Sequence, residues 1–201
     1  MLFQAIELAT KAHSGQLRKA SGIPYIYHPL SVAKILINHG CAETLVVAAI
    51  LHDTVEDTAV THDDIRQLFG LQVASLVEAA SEPDKLAKWE TRKQHTIAFL
   101  EEAPMDVLLV VCADKLDNAR SIKEDLARQG DELWTAFSRS KAHQRWYYQA
   151  LVEVFTRRAD SEPLISLVQQ LAVTVQDIFG DSLSDDERHH GGHYPIYLTI
   201  S

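Results

Sequence analysis

The chain has 201 residues, 46% hydrophobic and 23% charged, which suits one globular domain or one domain with a trailing segment. Its formal net charge of −9 makes non-specific binding to nucleic acid or to an anionic membrane a poor starting point. Cys41 and Cys112 form neither a disulfide framework nor a CxxC metal site, so reduced thiols in a cytoplasmic protein are expected. The first residues lack the basic-then-apolar order of a signal peptide, and no apolar run approaches the roughly 20 residues that cross a bilayer. A chain of this length buries a core unaided, so a bound metal would serve chemistry rather than folding.

Helical signals follow one another along the chain. Leu2, Ile6, Ala9 and His13 recur at helical spacing, so residues 2–13 read as an amphipathic helix ended by Ser14-Gly15. Residues 15–28 read as a loop holding Gly22, Pro24 and two tyrosines. Pro29 then suits the first turn of a helix that runs to about Asn38, with Gly40 beyond its end. Residues 43–53, ETLVVAAILHD, are apolar on nearly every side, as in a helix buried among others. Thr61 and Asp64 make a capping arrangement for a helix carrying Ile65, Leu68 and Phe69; Gly70 closes it and residues 71–80 resume. Further helices are expected from about Trp89 to Glu101, after Pro104, over 131–158 as one long element, and over 163–179. Residues 181–201 turn polar and then weakly strand-like. The division expected is a single all-α domain over 1–180 with a C-terminal tail over 181–201.

Two places resist explanation as packing. Ile50-Leu51 runs straight into His52-Asp53, and Val110-Val111-Cys112-Ala113 runs into Asp114. An unpaired buried carboxylate costs several kcal/mol, so two acids ending two buried runs need a shared partner. A divalent cation is the economical one. Imidazole and carboxylate suit Mn²⁺, Fe²⁺, Zn²⁺ or Mg²⁺, and no thiolate in the set forces zinc. Neighbouring helix residues point about 100° apart, so a His-Asp dipeptide grips one ion only from a helix end, which fits a break at Thr54. An ion pair of Asp114 with Lys115 or Arg120 is the plainer alternative; the apolar run before it favours a metal. Glu56 and Asp57 follow within a turn and could orient or deprotonate a water on the ion.

Arg18-Lys19, YIYHP (25–29), HDTVED (52–57) and ADKLDNARS (113–121) occur in an order that resembles the hydrolase domain of the RelA/SpoT family, within the HD-domain phosphohydrolases. The resemblance covers roughly residues 1–160, and nothing after them reads as the family's synthetase domain. A stand-alone small alarmone hydrolase with an HD-type helical bundle is therefore expected. The resemblance implies that His28, His52, Asp53 and Asp114 hold one Mn²⁺, other divalent ions being alternatives. Glu56 and Asp57 would position and activate the water. Arg18 and Lys19 would meet a guanosine nucleotide, Asn118 would support the metal shell or substrate, and Ser121 would stand near the nucleotide. The reaction implied is release of pyrophosphate from the 3′ position of (p)ppGpp. The stretch SEPDKLAKWETRKQH departs from the family pattern, most at Trp89; its Lys85, Lys88, Arg92 and Lys93 are either phosphate contacts or a solvated face.

Other histidines read as structural. His62-Asp63 follows Thr61 at a helix start, where acids favour the positive end of the helix dipole. His13, His39, His95 and His143 lack acidic neighbours at ligand spacing, and His189, His190 and His193 belong to the tail. The aromatics from Trp134 to Tyr148 belong to the core or to a homodimer face. The competing functions are an HD nucleotidase, an NADPH phosphatase and a non-catalytic alarmone-binding module.

Overall fold

A helix that is apolar on every side has no face to offer solvent, so it folds only inside a ring of others. The computed structural model describes residues 1–81 and 86–180 and meets that demand by packing helix on helix. In chain order these are α1 (Leu2–Ala12), α2 (Tyr27–Asn38), α3 (Glu43–Leu51), α4 (Thr54–Asp57) and α5 (His62–Ala80). They are followed by α6 (Trp89–Leu100), α7 (Met105–Gln129), a 3-10 turn (Gly130–Ala136), α8 (Lys141–Arg158) and α9 (Leu164–Phe179). α3 buries every residue from 45 to 51, and α7 buries an unbroken run from 107 to 114. α2 packs on both, α1 and α5 pack on α3, α9 lies along α7, and α8 packs on α9. Among the described residues the one extended pairing is an isolated bridge between Leu17 and Pro24, and no helix is long and apolar enough to cross a membrane. The described residues thus form an all-α bundle, as expected for residues 1–180. The tail over 181–201, its three histidines and Lys85 lie outside the described residues.

The burial of α3 fixes where its polar end emerges. Ile50 and Leu51 are 1% and 0% exposed, and each such side chain contributes roughly 1.5–3 kcal/mol by leaving water. His52 and Asp53 follow them directly, so the core itself sets their position.

α5 shows how one residue redirects a helix. Its N-terminus carries the expected capping box: Thr61 Oγ1 accepts from the Asp64 amide at 3.2 Å while Asp64 Oδ2 accepts from the Thr61 amide at 2.9 Å. Gly70 breaks its geometry at φ 85°, ψ 172°, backbone that essentially glycine alone adopts. Ile65 and Phe69 before the break, and Val73, Leu76 and Val77 after it, can then bury together. Gly70→Ala is expected to cost about 1–3 kcal/mol, read as a fall in Tm, because that conformation is strained for any Cβ. No atom lies within 4 Å of where that Cβ would sit, so the loss is one of backbone conformation and not of crowding.

The long helix expected over 131–158 is two elements. Gly130, at φ 60°, ends α7; the 3-10 turn follows, Phe137 is extended, and Ser140 opens α8. The break turns Trp134 onto Phe137 and Phe179, at centroid distances of 5.6 and 5.7 Å, and lets Arg139 Nε donate to Glu90 Oε1 at 2.6 Å. Tertiary contacts therefore override a stretch whose local pattern reads as continuous helix. Tyr147 and Tyr148 are buried, so that part of the aromatic run serves the core. α2 also begins two residues before Pro29, which puts His28 inside its first turn instead of in the preceding loop.

Candidate metal centre

Three elements deliver polar groups to one point. α2 brings His28, the junction of α3 and α4 brings His52 and Asp53, and the middle of α7 brings Asp114. His28, His52 and Asp114 each offer a ligand atom within 4.8 Å of the others, and all three are buried. His28 Nε2 lies 3.2 Å from Asp114 Oδ1 and 3.5 Å from Asp53 Oδ2. His52 Nε2 lies 3.1 Å from Asp53 Oδ2 and 3.7 Å from Asp114 Oδ1. An octahedral ion with bonds of about 2.1 Å sets neighbouring ligand atoms about 3.0 Å apart, close to these spacings.

The tautomers agree with that use. His52 Nδ1 lies 2.8 Å from the Ala49 carbonyl, which only accepts, so Nδ1 carries the hydrogen and Nε2 keeps its lone pair. Despite the nearby carboxylates, His52 Nε2 is buried with no hydrogen bond of its own. Such an orphaned ring nitrogen between two carboxylates fits a cation. His28 Nδ1 is likewise occupied, 2.7 Å from Asp117 Oδ2. The acids are braced as well: Tyr25 donates to Asp53 Oδ2 at 2.5 Å, Asn118 to Asp114 Oδ1 at 2.6 Å, and Lys115 Nζ sits 2.7 Å from Asp114 Oδ2. Two imidazoles and two carboxylates with no thiolate make a donor set for a divalent metal.

The electrostatics state the same demand. Burial pushes the His52 ring toward its neutral form, but the charges of Asp53 and Asp114 outweigh it and hold its pKa well above 6.5. His28 is raised for the same reasons, by Asp114 and Asp117 against burial. Burial would raise both acids, yet the His52 charge keeps Asp53 low and the Lys115 charge keeps Asp114 low. Lys115 stays cationic because Asp114 more than offsets its burial, and Tyr25 is raised by burial and by Asp53, so it remains a donor. Without a metal, these carboxylates make the two rings hold protons more firmly than a free imidazole does. A metal must displace them, so affinity is expected to fall with falling pH, starting already above 6.5. The stability of the metal-free form has the opposite sign. The histidine contribution is complete below 6.5 and is lost as pH rises through the raised folded values. Calorimetric Mn²⁺ titrations and apo-protein melts across roughly pH 6 to 8 read both trends.

Around this core the remaining sequence candidates fall unevenly. Glu56 and Asp57 lie on α4, one turn beyond Asp53, Glu56 half-buried and Asp57 exposed. Arg18 is no loose surface charge: its side chain is 15% exposed and donates to Asp117 Oδ2 at 3.0 Å and to Asn118 Oδ1 at 2.8 Å. Asn118 thereby joins Asp114 to Arg18. Ser121 shares with Arg18 a cleft of about 360 Å³, lined also by Tyr27, Lys34, Asn38 and Arg120. Lys19 is exposed and is not part of that lining. On α6, Lys93 Nζ lies 5.0 Å from the Tyr147 ring centroid, while Lys88 precedes the helix and is exposed. His62-Asp63 opens α5 beside its capping box, His39 Nδ1 bonds the Ile35 carbonyl at 2.7 Å, and His143 Nδ1 lies 2.8 Å from Ser140 Oγ. The ion pair of Asp114 with Lys115, weighed from the sequence as the alternative to a metal, is present beside the ligand set, whereas sequence reasoning missed Tyr25 and Asp117. Only Asp117 had a local signal, three residues from Asp114 on one helix face.

Two histidines and two aspartates brought together by three helical elements of an all-helical bundle make the metal centre of an HD-type protein. The HD-domain family model matches residues 5–142, and the chain belongs to that family. It is 37% identical over 178 residues to human "Guanosine-3′,5′-bis(diphosphate) 3′-pyrophosphohydrolase MESH1", a match covering 87% of this chain and 96% of that protein. It is 41% identical over 128 residues to the bifunctional (p)ppGpp synthase/hydrolase SpoT of Escherichia coli K12, covering 60% of this chain but only 18% of SpoT. Among solved structures, lmo0812 of Listeria monocytogenes EGD-e superposes with a TM-score of 0.70 at 38% identity, covering 80% of this chain and 98% of that one. A metazoan ortholog of SpoT that hydrolyses ppGpp superposes with a TM-score of 0.72 at 26% identity, covering 87% and 93%. The family read from the four motifs is borne out.

Proposed function

We propose that this protein is a manganese-dependent (p)ppGpp 3′-pyrophosphohydrolase, releasing pyrophosphate and leaving GDP or GTP. The observation that carries it is the continuous path from Asp114 through Asn118 to Arg18, which ties the metal centre to a polar cleft of nucleotide scale. The likeness to MESH1 along nearly all of that protein supports the same substrate.

His28, His52, Asp53 and Asp114 would hold the ion. A bound divalent ion lowers the pKa of its water and offsets phosphoryl charge. Glu56 and Asp57, one turn from Asp53, would orient such a water and accept its proton; its oxygen would bond to the phosphorus attached to the 3′ oxygen as that phosphorus–oxygen bond breaks, leaving a protonated 3′-hydroxyl on the nucleotide and free pyrophosphate. Lys115 keeps Asp114 ionised and so ready to ligate, and Tyr25 steadies Asp53. Arg18 stands at the cleft wall with its fork held by Asp117 and Asn118, pre-oriented toward the guanosine moiety, and Ser121 contacts the nucleotide from α7. Lys19, exposed beside Arg18, joins the phosphates from the rim. The catalytic domain spans residues 1–180, and the setting is the cytoplasm, where free Cys41 and Cys112 stay reduced.

The test is a product analysis. Purified protein with Mn²⁺ is incubated separately with ppGpp, deoxynucleoside monophosphates and NADPH. GDP and pyrophosphate from ppGpp are expected. Their absence, with phosphate released from another member of the panel, would replace this substrate assignment. Metal analysis of the protein as purified reads the preference for manganese.

A further inference from the structure

The second half of α7 carries a carboxylate that neither the ligand set nor the water chemistry uses. Asp117 lies three residues beyond Asp114, so the two carboxylates rise from one face of the helix. A single oxygen, Oδ2, accepts from His28 Nδ1 at 2.7 Å and from Arg18 at 3.0 Å. The side chain is 13% exposed, a site where an ionised acid persists only with firm partners.

Each contact has a separate consequence. An ionised carboxylate accepts and never donates, so Nδ1 of His28 must bear the ring hydrogen. The lone pair of Nε2 then faces Asp114 and Asp53, the tautomer and orientation a metal needs. On its other side Asp117 shares the Arg18 guanidinium with Asn118, which fixes the plane of the fork at the cleft wall. His28 and Arg18 come from different segments, ten positions apart in sequence, and Asp117 joins them through one atom.

We infer that Asp117 is a positioning residue that sets both the tautomer of a metal ligand and the orientation of the arginine beside the cleft. Metal and nucleotide sites are thereby built on one carboxylate. The arginine half rests on the function proposed above; the metal half does not.

Two variants of the full chain separate the roles. Asp117→Ala removes both contacts. Asp117→Asn keeps an oxygen to accept from His28 but loses the charge that holds Arg18. Asp117→Ala is expected to weaken Mn²⁺ binding by about 10–100-fold in calorimetry, the range for loss of an outer-shell partner, and to raise KM for ppGpp. Asp117→Asn is expected to keep Mn²⁺ affinity within a few-fold of wild type and to raise KM with kcat little changed. Circular dichroism and melting curves establish that each variant is folded; should the alanine variant fail to fold, the near-isosteric asparagine variant still reads the split. Wild-type Mn²⁺ affinity in folded Asp117→Ala overturns the ligand role, and unchanged KM in Asp117→Asn overturns the arginine role. If the wild-type chain leaves ppGpp intact, the functional proposal fails by itself and the Mn²⁺ titrations alone decide the role of Asp117.

Discussion

Asp53→Ala is expected to abolish hydrolysis and most divalent-metal binding while leaving the helical bundle folded. Asp53 Oδ2 lies 3.1 Å from His52 Nε2, closer than Asp114 Oδ1 at 3.7 Å, and it also approaches His28 Nε2 at 3.5 Å. Without it the donor set falls to two rings and one carboxylate, and the charge available to neutralise the ion is halved. The loss of activity should exceed the roughly 10–100-fold that removal of an outer-shell partner costs, since this is the ligand itself. Stability responds less. Tyr25 loses its acceptor, a half-buried hydrogen bond whose loss costs about 1 kcal/mol. Removing this carboxylate relieves its repulsion with Asp114 but forfeits the larger attraction of the His52 and His28 rings, so the variant is expected to melt lower while staying folded. Asp53 lies between α3 and α4 and makes no side-chain cap, so neither helix depends on it. Mn²⁺ titration, product analysis and circular dichroism on the same sample check all three parts. A metal-free variant that hydrolysed ppGpp at the wild-type rate would remove Asp53 from the site.

That prediction stands on residues visible in the sequence because of where their charge falls. His52-Asp53 and Asp114 each end a run of buried apolar residues, and a charge there is conspicuous in physical terms. The same apolar runs gave away the two central helices. The bracing residues gave no such signal. Tyr25 sits in an aromatic patch and finds Asp53 28 positions away, while Asp117 sits in the polar half of α7 and meets His28 across 89 positions. Those distances in sequence close only through the packing of α2 on α3 and α7. Local rules served α5 well, where a capping box and one glycine decide the geometry. They failed at 131–158, where Gly130 and Ser140 were outweighed in the pattern by long helix-forming side chains around them. The fold breaks there because Trp134 gains Phe179 as a neighbour, a contact no local window contains.

Glu56 and Asp57 allow the metal and the water chemistry to be pulled apart. Both lie on α4, whose first residue follows Asp53 directly, so one turn of helix separates them from the ligand set without placing them in it. Glu56→Gln keeps the size and the hydrogen-bonding oxygen of the side chain but cannot take a proton. It is expected to lower kcat by about 10²–10⁴-fold, the usual span for a general base, with Mn²⁺ affinity close to wild type. Asp57→Asn makes the parallel test, and the larger fall in kcat marks the residue that accepts the proton. Glu56 is the half-buried one of the pair and the better shielded from bulk water, so the larger fall is expected there. The double variant should be little slower than the worse single one, because two residues that serve one water act as a unit. This pattern differs from that of Asp53→Ala, in which metal binding and turnover fail together. If both single variants kept kcat within a few-fold while binding Mn²⁺ normally, the proton would have to leave by another route, and α4 would be a structural bridge between α3 and α5.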